Sequence, residues 1–186
     1  MINCRIENNT VKDDGSIKRS SGGGISLPHT SYTAVIDGGT IAGNKIDMSA
    51  KTSAASLLEA EGCGLDCSAK LGSITIIKGH TVIENNQCIP HPHTSKFCDC
   101  KGMGIFCGGG RLTIGETGKS NDESPEILNH GNSIPERVDV AGTALYINGG
   151  SVSWQRGRIH DNGPNPNNTI KNIEGTLSNL SETSPS

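Results

Sequence analysis

The sequence predicts an all-β chain: a right-handed parallel β-helix of about four turns of roughly forty residues, with loop insertions and one short helix. Three observations carry that expectation. They are glycine-anchored tetrapeptides at constant spacing, an alternating strand after each of them, and a recurrent Ile-x-x-Asn.

The anchors are Gly22-Gly23-Gly24-Ile25, Gly62-Cys63-Gly64-Leu65, Gly102-Met103-Gly104-Ile105 and Gly142-Thr143-Ala144-Leu145, each beginning 40 residues after the last. Two residues beyond each closing apolar residue stand Leu27, Cys67, Cys107 and Ile147. That alternation describes a strand with one buried face, entered through a glycine corner. The second strand reads Thr33-Ala34-Val35, Ile74-Thr75-Ile76, Leu112-Thr113-Ile114 and Val152-Ser153-Trp154. The third element ends in Ile6/Asn9, Ile41/Asn44, Ile83/Asn86 and Ile159/Asn162, and is blurred between 115 and 141, where Ile127-Leu128-Asn129 is the nearest candidate. Three short strands per turn make a coil of three faces, with like positions about 4.7–4.9 Å apart in successive turns. Ile25, Leu65, Ile105 and Leu145 are expected in one interior column, and Val35, Ile76, Ile114 and Trp154 in another. Asparagine suits the corner, where its amide bonds the backbone. A β-sandwich with coincidental glycine spacing is the competing fold.

Composition narrows the rest. Hydrophobic residues make up 32% and aromatics 3% of the 186 residues, with 25 glycines, a profile unlike a helical bundle. A net charge of −3 with interspersed signs gives no pull toward nucleic acid. No apolar run reaches the roughly 18–20 residues of a transmembrane helix. Met1-Ile2-Asn3-Cys4-Arg5-Ile6-Glu7 lacks the basic start and apolar stretch of a signal peptide, and it reads as the end of a repeat. Residues 1–162 are therefore expected to be a fragment of a longer solenoid, whose open ends invite self-association. Residues 163–186 turn polar and Pro-interrupted, a tail or a degraded turn.

At Asp37-Gly38-Gly39-Thr40-Ile41-Ala42-Gly43-Asn44, followed by a fresh Gly-x-Gly-Ile, the chain resembles β-helical repeats of bacterial surface proteins. The pairing of Ile-x-x-Asn with Gly-x-Gly-Ile over residues 2–162 is similar to the Phe-x-x-Asn and Gly-Gly-Ala-Ile tetrapeptides of polymorphic outer-membrane proteins and related adhesins. The resemblance implies a pectin-lyase-like right-handed β-helix, extracellular or on the cell surface, serving adhesion or display. Its expected partner is a glycan or a host or cell-surface protein.

Function is expected where the repeat varies. Excursions at 45–61, 87–101 and 116–141 leave the coil at one repeat position, so they project to one side. Segment 52–60 is rich in helix formers and predicts a short helix ending at Gly62. Cys88, His91, His93, Cys98 and Cys100 fall within 13 residues, and thiolate and imidazole are zinc ligands. Their spacing matches no familiar zinc module, and a loop disulfide or unpaired thiols are alternatives. Cys67 and Cys107 are expected to point inward as small hydrophobes, at a separation that also permits a cross-turn disulfide. Seven cysteines cannot all pair within one chain. Asp37, His80, Glu84, Arg156, Arg158, His160 and Asp161 are candidates for a carbohydrate-active enzyme, polysaccharide lyase or glycoside hydrolase-like. None recurs as a paired-carboxylate cluster, so a non-enzymatic scaffold leads and no catalytic residue is assigned.

Overall fold

The computed structural model describes residues 1–15, 19–27, 31–52, 57–68, 72–92, 97–131, 138–163, 170–172 and 176–178. It is all-β, with 59% of the described residues in strands and 2% in helix, so sheets must cover one another. The strands pair in parallel, an arrangement compatible with a parallel β-helix.

Four sheets are built, and neighbouring strands in each come from successive repeats. Sheet A contains Ile2–Glu7, Thr33–Ala42, Ile74–Glu84, Arg111–Ile114 with Glu126–Leu128, Ser151–Trp154 with Arg158–His160, and Thr176–Ser178. Among the described residues, sheet B contains Thr10–Lys12, Lys45–Asp47 and Gln87–Ile89, the last at one edge. Sheet C contains Arg19–Ser21, Leu57–Glu61, Phe97–Lys101 and Val138–Ala141. Sheet D contains Ile25–Ser26, Leu65–Ser68, Ile105–Gly109, Leu145–Ile147 and Ile170–Asn172. Two strands beyond residue 163 thus extend sheets D and A.

The anchor column forms as expected, with Ile25, Leu65, Ile105 and Leu145 in register. The isoleucines of the third element also stack in one column, as Ile6–Ile41–Ile83–Ile127–Ile159. Ile127 occupies it in the blurred repeat. The second expected column is corrected. Val35 and Ile76 pair with each other but face outward and are half-buried, while Ile36 and Ile77 stack under Ile114 and Trp154. A shift of one residue exchanges the faces of a strand, and the apolar pairs Val35-Ile36 and Ile76-Ile77 leave that choice open in the sequence.

Two further expectations are overturned. In the segment 52–60 expected as a short helix, residues 53–56 lie outside the described residues, and Leu57–Glu61 is a strand, because Leu58 and Ala60 alternate inward and the backbone pairs with Arg19–Ser21 and Phe97–Lys101. The only helix among the described residues is a single 3-10 turn at Asn121–Glu123. The excursions at 45–61 and 87–101 are also not wholly loops, since each carries a strand of sheet B and one of sheet C. These strands enclose a second core. One core lies between sheets A and D, and the other, between B and C, contains Ile46, Met48, Leu58 and four cysteines.

A polar ladder runs through the corner between sheets A and B. Asn9 Nδ2 donates to Asn44 Oδ1 at 3.0 Å, and Asn44 Nδ2 to Asn86 Oδ1 at 3.0 Å. Asn86 Nδ2 then meets His130 Nε2 at 3.2 Å, and His130 Nδ1 meets Asn162 Oδ1 at 3.0 Å. Each rung also ties backbone: Asn44, Asn86 and Asn162 donate to the carbonyls of Ile6, Ile41 and Ile127. The ladder lies against the anchors. A Cβ on Gly64 would stand 2.8 Å from Asn86 Nδ2 and 2.6 Å from the Gly104 carbonyl, so glycine is required there.

Candidate functional site

The outer face of sheets C and D concentrates unlike chemistry. Leu58, Ala60, Cys98, Cys100 and Val138 fill the interior, so strand alternation turns Leu57, Glu59, Glu61, Phe97, Asp99, Lys101 and Asp139 outward. Leu57 and Phe97 are register neighbours and remain 41% and 50% exposed, a pair of large apolar side chains left in water. Beyond them runs a row of charge. Lys101 Nζ bonds Glu59 Oε1 at 2.9 Å and lies 3.4 Å from Asp99 Oδ2. Arg19 Nε stands 3.6 Å from Glu59 Oε2 and 3.5 Å from Glu61 Oε1.

Past the Gly62 corner the outward positions of sheet D hold Asp66, Phe106 and Tyr146, aligned in register. The two rings stack with centroids 5.7 Å apart and planes 16° from parallel. Both phenylalanines and one of the two tyrosines of the chain therefore lie on this face. Burial pushes the Glu61 carboxyl above its ordinary pKa, with Asp66 and Glu59 adding to the rise and Arg19 and Lys101 opposing it. Burial alone would lower Lys101, but its bond to Glu59 and the charges of Asp99 and Glu61 outweigh that and raise it. Glu59, Glu61, Asp66, Phe106 and Tyr146 are themselves buried, so what the face presents to solvent is the Leu57–Phe97 pair with Arg19, Asp139 and the partly exposed Asp99 and Lys101. That combination of an apolar pair and mixed charge suits a ligand with both apolar and polar faces.

The five residues expected as zinc ligands are divided. Cys88, Cys98 and Cys100 point into the core between sheets B and C, each at most 1% exposed. Cys63 joins them, its Sγ 3.6 Å from that of Cys100. His91 is half-buried on the segment after Gln87–Ile89, and His93 lies outside the described residues. Among the described residues, no group of three or more His, Cys, Asp or Glu side chains is arranged to hold a metal ion. Cys67 and Cys107 sit in the other core, as expected. Burial pushes the Cys67 thiol well above its ordinary value and that of Cys107 up to about 11, so both are protonated small hydrophobes.

The carbohydrate-enzyme candidates gather in part on the outside of sheet A. Arg158 hydrogen-bonds Glu126, and His160 Nε2 approaches the same carboxylate at 3.5 Å while its Nδ1 meets Asp161 at 2.7 Å. Burial raises the Glu126 pKa, but the Arg158 bond and charge, His160 and His80 outweigh it, so the carboxyl lies below its ordinary value. Asp37 belongs elsewhere, with Lys78 and through it Glu116. Glu84 hydrogen-bonds Asn85, and Arg156 is exposed.

Sequence reasoning missed Glu126, Cys63 and His130. Each had a signal. His130 follows Ile127 by the same three residues that separate Ile from Asn in the other repeats, and Glu126 must face outward if Ile127 faces inward. Cys63 occupies the anchor position held by Met103 one repeat later. Comparison with protein-family models, curated proteins and solved structures finds no match to this chain.

Proposed function

We propose that the chain is a stretch of right-handed parallel β-helix acting as a non-enzymatic, surface-exposed scaffold that holds a glycan or protein ligand on the outer face of sheets C and D. One observation carries the reading. The repeated residues are consumed in interior columns and the asparagine ladder, whereas the unrepeated Leu57 and Phe97 stand exposed side by side on one outer face, next to Lys101 held by the buried Glu59. Adhesin-like display outside the cell follows from the resemblance of the repeat motifs and gives this face access to such ligands.

The test is a glycan array and a panel of purified cell-surface proteins, probed with the wild type and with Phe97→Asp. Phe97 is half exposed, so the variant is expected to fold by circular dichroism and to lose at least tenfold in binding. Binding that survives unchanged refutes this face. A second reading, a carbohydrate-active enzyme, is favoured by the Glu126–Arg158–His160 cluster on sheet A. It requires cleavage of pectin or related uronates, assayed with and without calcium, that Arg158→Ala abolishes.

A further inference from the structure

The four thiols between sheets B and C form an arrangement that packing alone does not call for. Cys88 Sγ and Cys98 Sγ are 3.0 Å apart, closer than two non-bonded sulfurs at rest. Their register neighbours are ordinary aliphatics. Cys88 stacks on Ile46, and Cys98 lies between Leu58 and Val138. Cysteine therefore replaces a larger hydrophobe at two facing positions in the same repeat. The two residues also sit on different sheets, at either end of the 90–96 connection. Among the described residues, Gln87–Ile89 is the edge strand of sheet B, bonded within that sheet only to Lys45–Asp47. An edge strand of three residues is among the first elements to open.

We propose that Cys88 and Cys98 are an oxidisable pair, whose disulfide pins the edge strand of sheet B to sheet C across the 90–96 connection. Both residues are 1% exposed, so exchange proceeds when that edge opens. Cys88 is the attacking sulfur: S–H donation from Cys100 and Cys98 holds its pKa below that of an ordinary thiol, while those two are raised. Its thiolate attacks a low-molecular-weight disulfide, forming a mixed disulfide and expelling one thiolate. Cys98, losing its proton, then attacks the Cys88 sulfur and expels the second. Two protein thiols and one external disulfide become one protein disulfide and two external thiols. The external disulfide takes up the two electrons and the two protons.

The test uses the full chain, reduced, freed of metal and then incubated with oxidised glutathione, both native and during refolding from urea. Products are alkylated, digested without reduction and mapped by mass spectrometry. The expected result is a mass 2 Da below that of the reduced chain and a Cys88–Cys98 cross-linked peptide. Slower amide exchange over 87–89 should accompany it. Cys98→Val, matching Val138 in register, should fold, retain slow thiol loss elsewhere and never show that cross-link. Cys63→Ala should leave the cross-link intact. Three outcomes overturn the proposal: seven free thiols after both treatments, a dominant cross-link at any other pair, or stoichiometric zinc, added before oxidation, that blocks all four thiols.

Discussion

Replacing His130 by asparagine separates the chemistry of the ladder from its shape. His130 is fully buried, and both ring nitrogens are engaged. The tautomer follows from its neighbours. Asn86 Nδ2 already gives one hydrogen to the Ile41 carbonyl, and its other hydrogen faces His130 Nε2, so that nitrogen accepts. The proton sits on Nδ1 and is donated to Asn162 Oδ1, which also accepts from the His130 backbone N–H. Protonating Nε2 would set a second donor against the Asn86 amide in the middle of the fold. Burial accordingly lowers the ring from 6.5 to about 4, with the Asn162 bond opposing the fall.

The sign of the linkage follows. Above 6.5 both folded and unfolded chains are neutral at this site. Below it the unfolded chain takes the proton and the folded chain does not, so stability declines until about pH 4. Integrated over that window, the loss is about 3 kcal/mol. His130→Asn removes the titrating group and restores the amide used in the other repeats. Urea unfolding followed by far-UV circular dichroism at pH 8, 6, 5 and 4 is the assay. The two proteins should lie within about 1 kcal/mol at pH 8, since one buried hydrogen bond is exchanged for another. At pH 4 the variant should be favoured by about 3 kcal/mol relative to that baseline. Other titrating groups are common to both proteins and cancel. Parallel pH profiles would refute the reasoning, as would a His130 imidazole NMR resonance that titrates near 6.5.

Two further substitutions probe the interior. Ile83→Asp puts a carboxylate into the isoleucine column at a fully buried position, and should cost more than about 4 kcal/mol or abolish the far-UV signal; a neutral result would mean the sheet A register is wrong. Lys51 is buried with its Nζ on Asp13 and 3.0 Å from Ser20 Oγ, and burial of Asp13 is outweighed by the hydrogen bonds it accepts from Lys51, Ser20 and the Gly15 N–H, so its pKa is lowered. Lys51→Met leaves that carboxylate without its cation and should cost about 3 kcal/mol in urea melts, with Asp13→Asn in the same chain recovering part of it. An unchanged midpoint for the single variant would refute the pairing.

The repeat was legible because it is written in residues that have no substitute. A 40-residue spacing of Gly-x-Gly is a backbone requirement, and Ile-x-x-Asn places one side chain in the core and the next amide at its corner. Those features give parallel stacking and two of the interior columns. Val35 and Ile76 were misassigned because both strands carry adjacent apolar residues, and periodicity cannot choose between neighbours when both are hydrophobic. Leu57–Glu61 reads as helix locally and is strand in the fold, since strands on both sides supply its hydrogen bonds. The outer face of sheets C and D was hidden for a related reason: Phe97 and Tyr146 lie forty-nine residues apart in the chain. By itself, then, the sequence determined that successive repeats stack and which residues face the columns wherever one apolar residue stands alone. Only the tertiary structure decided which of two adjacent apolar residues turns inward and which unlike side chains meet outside. Those outcomes depend on partners supplied by other repeats, and no local pattern carries them.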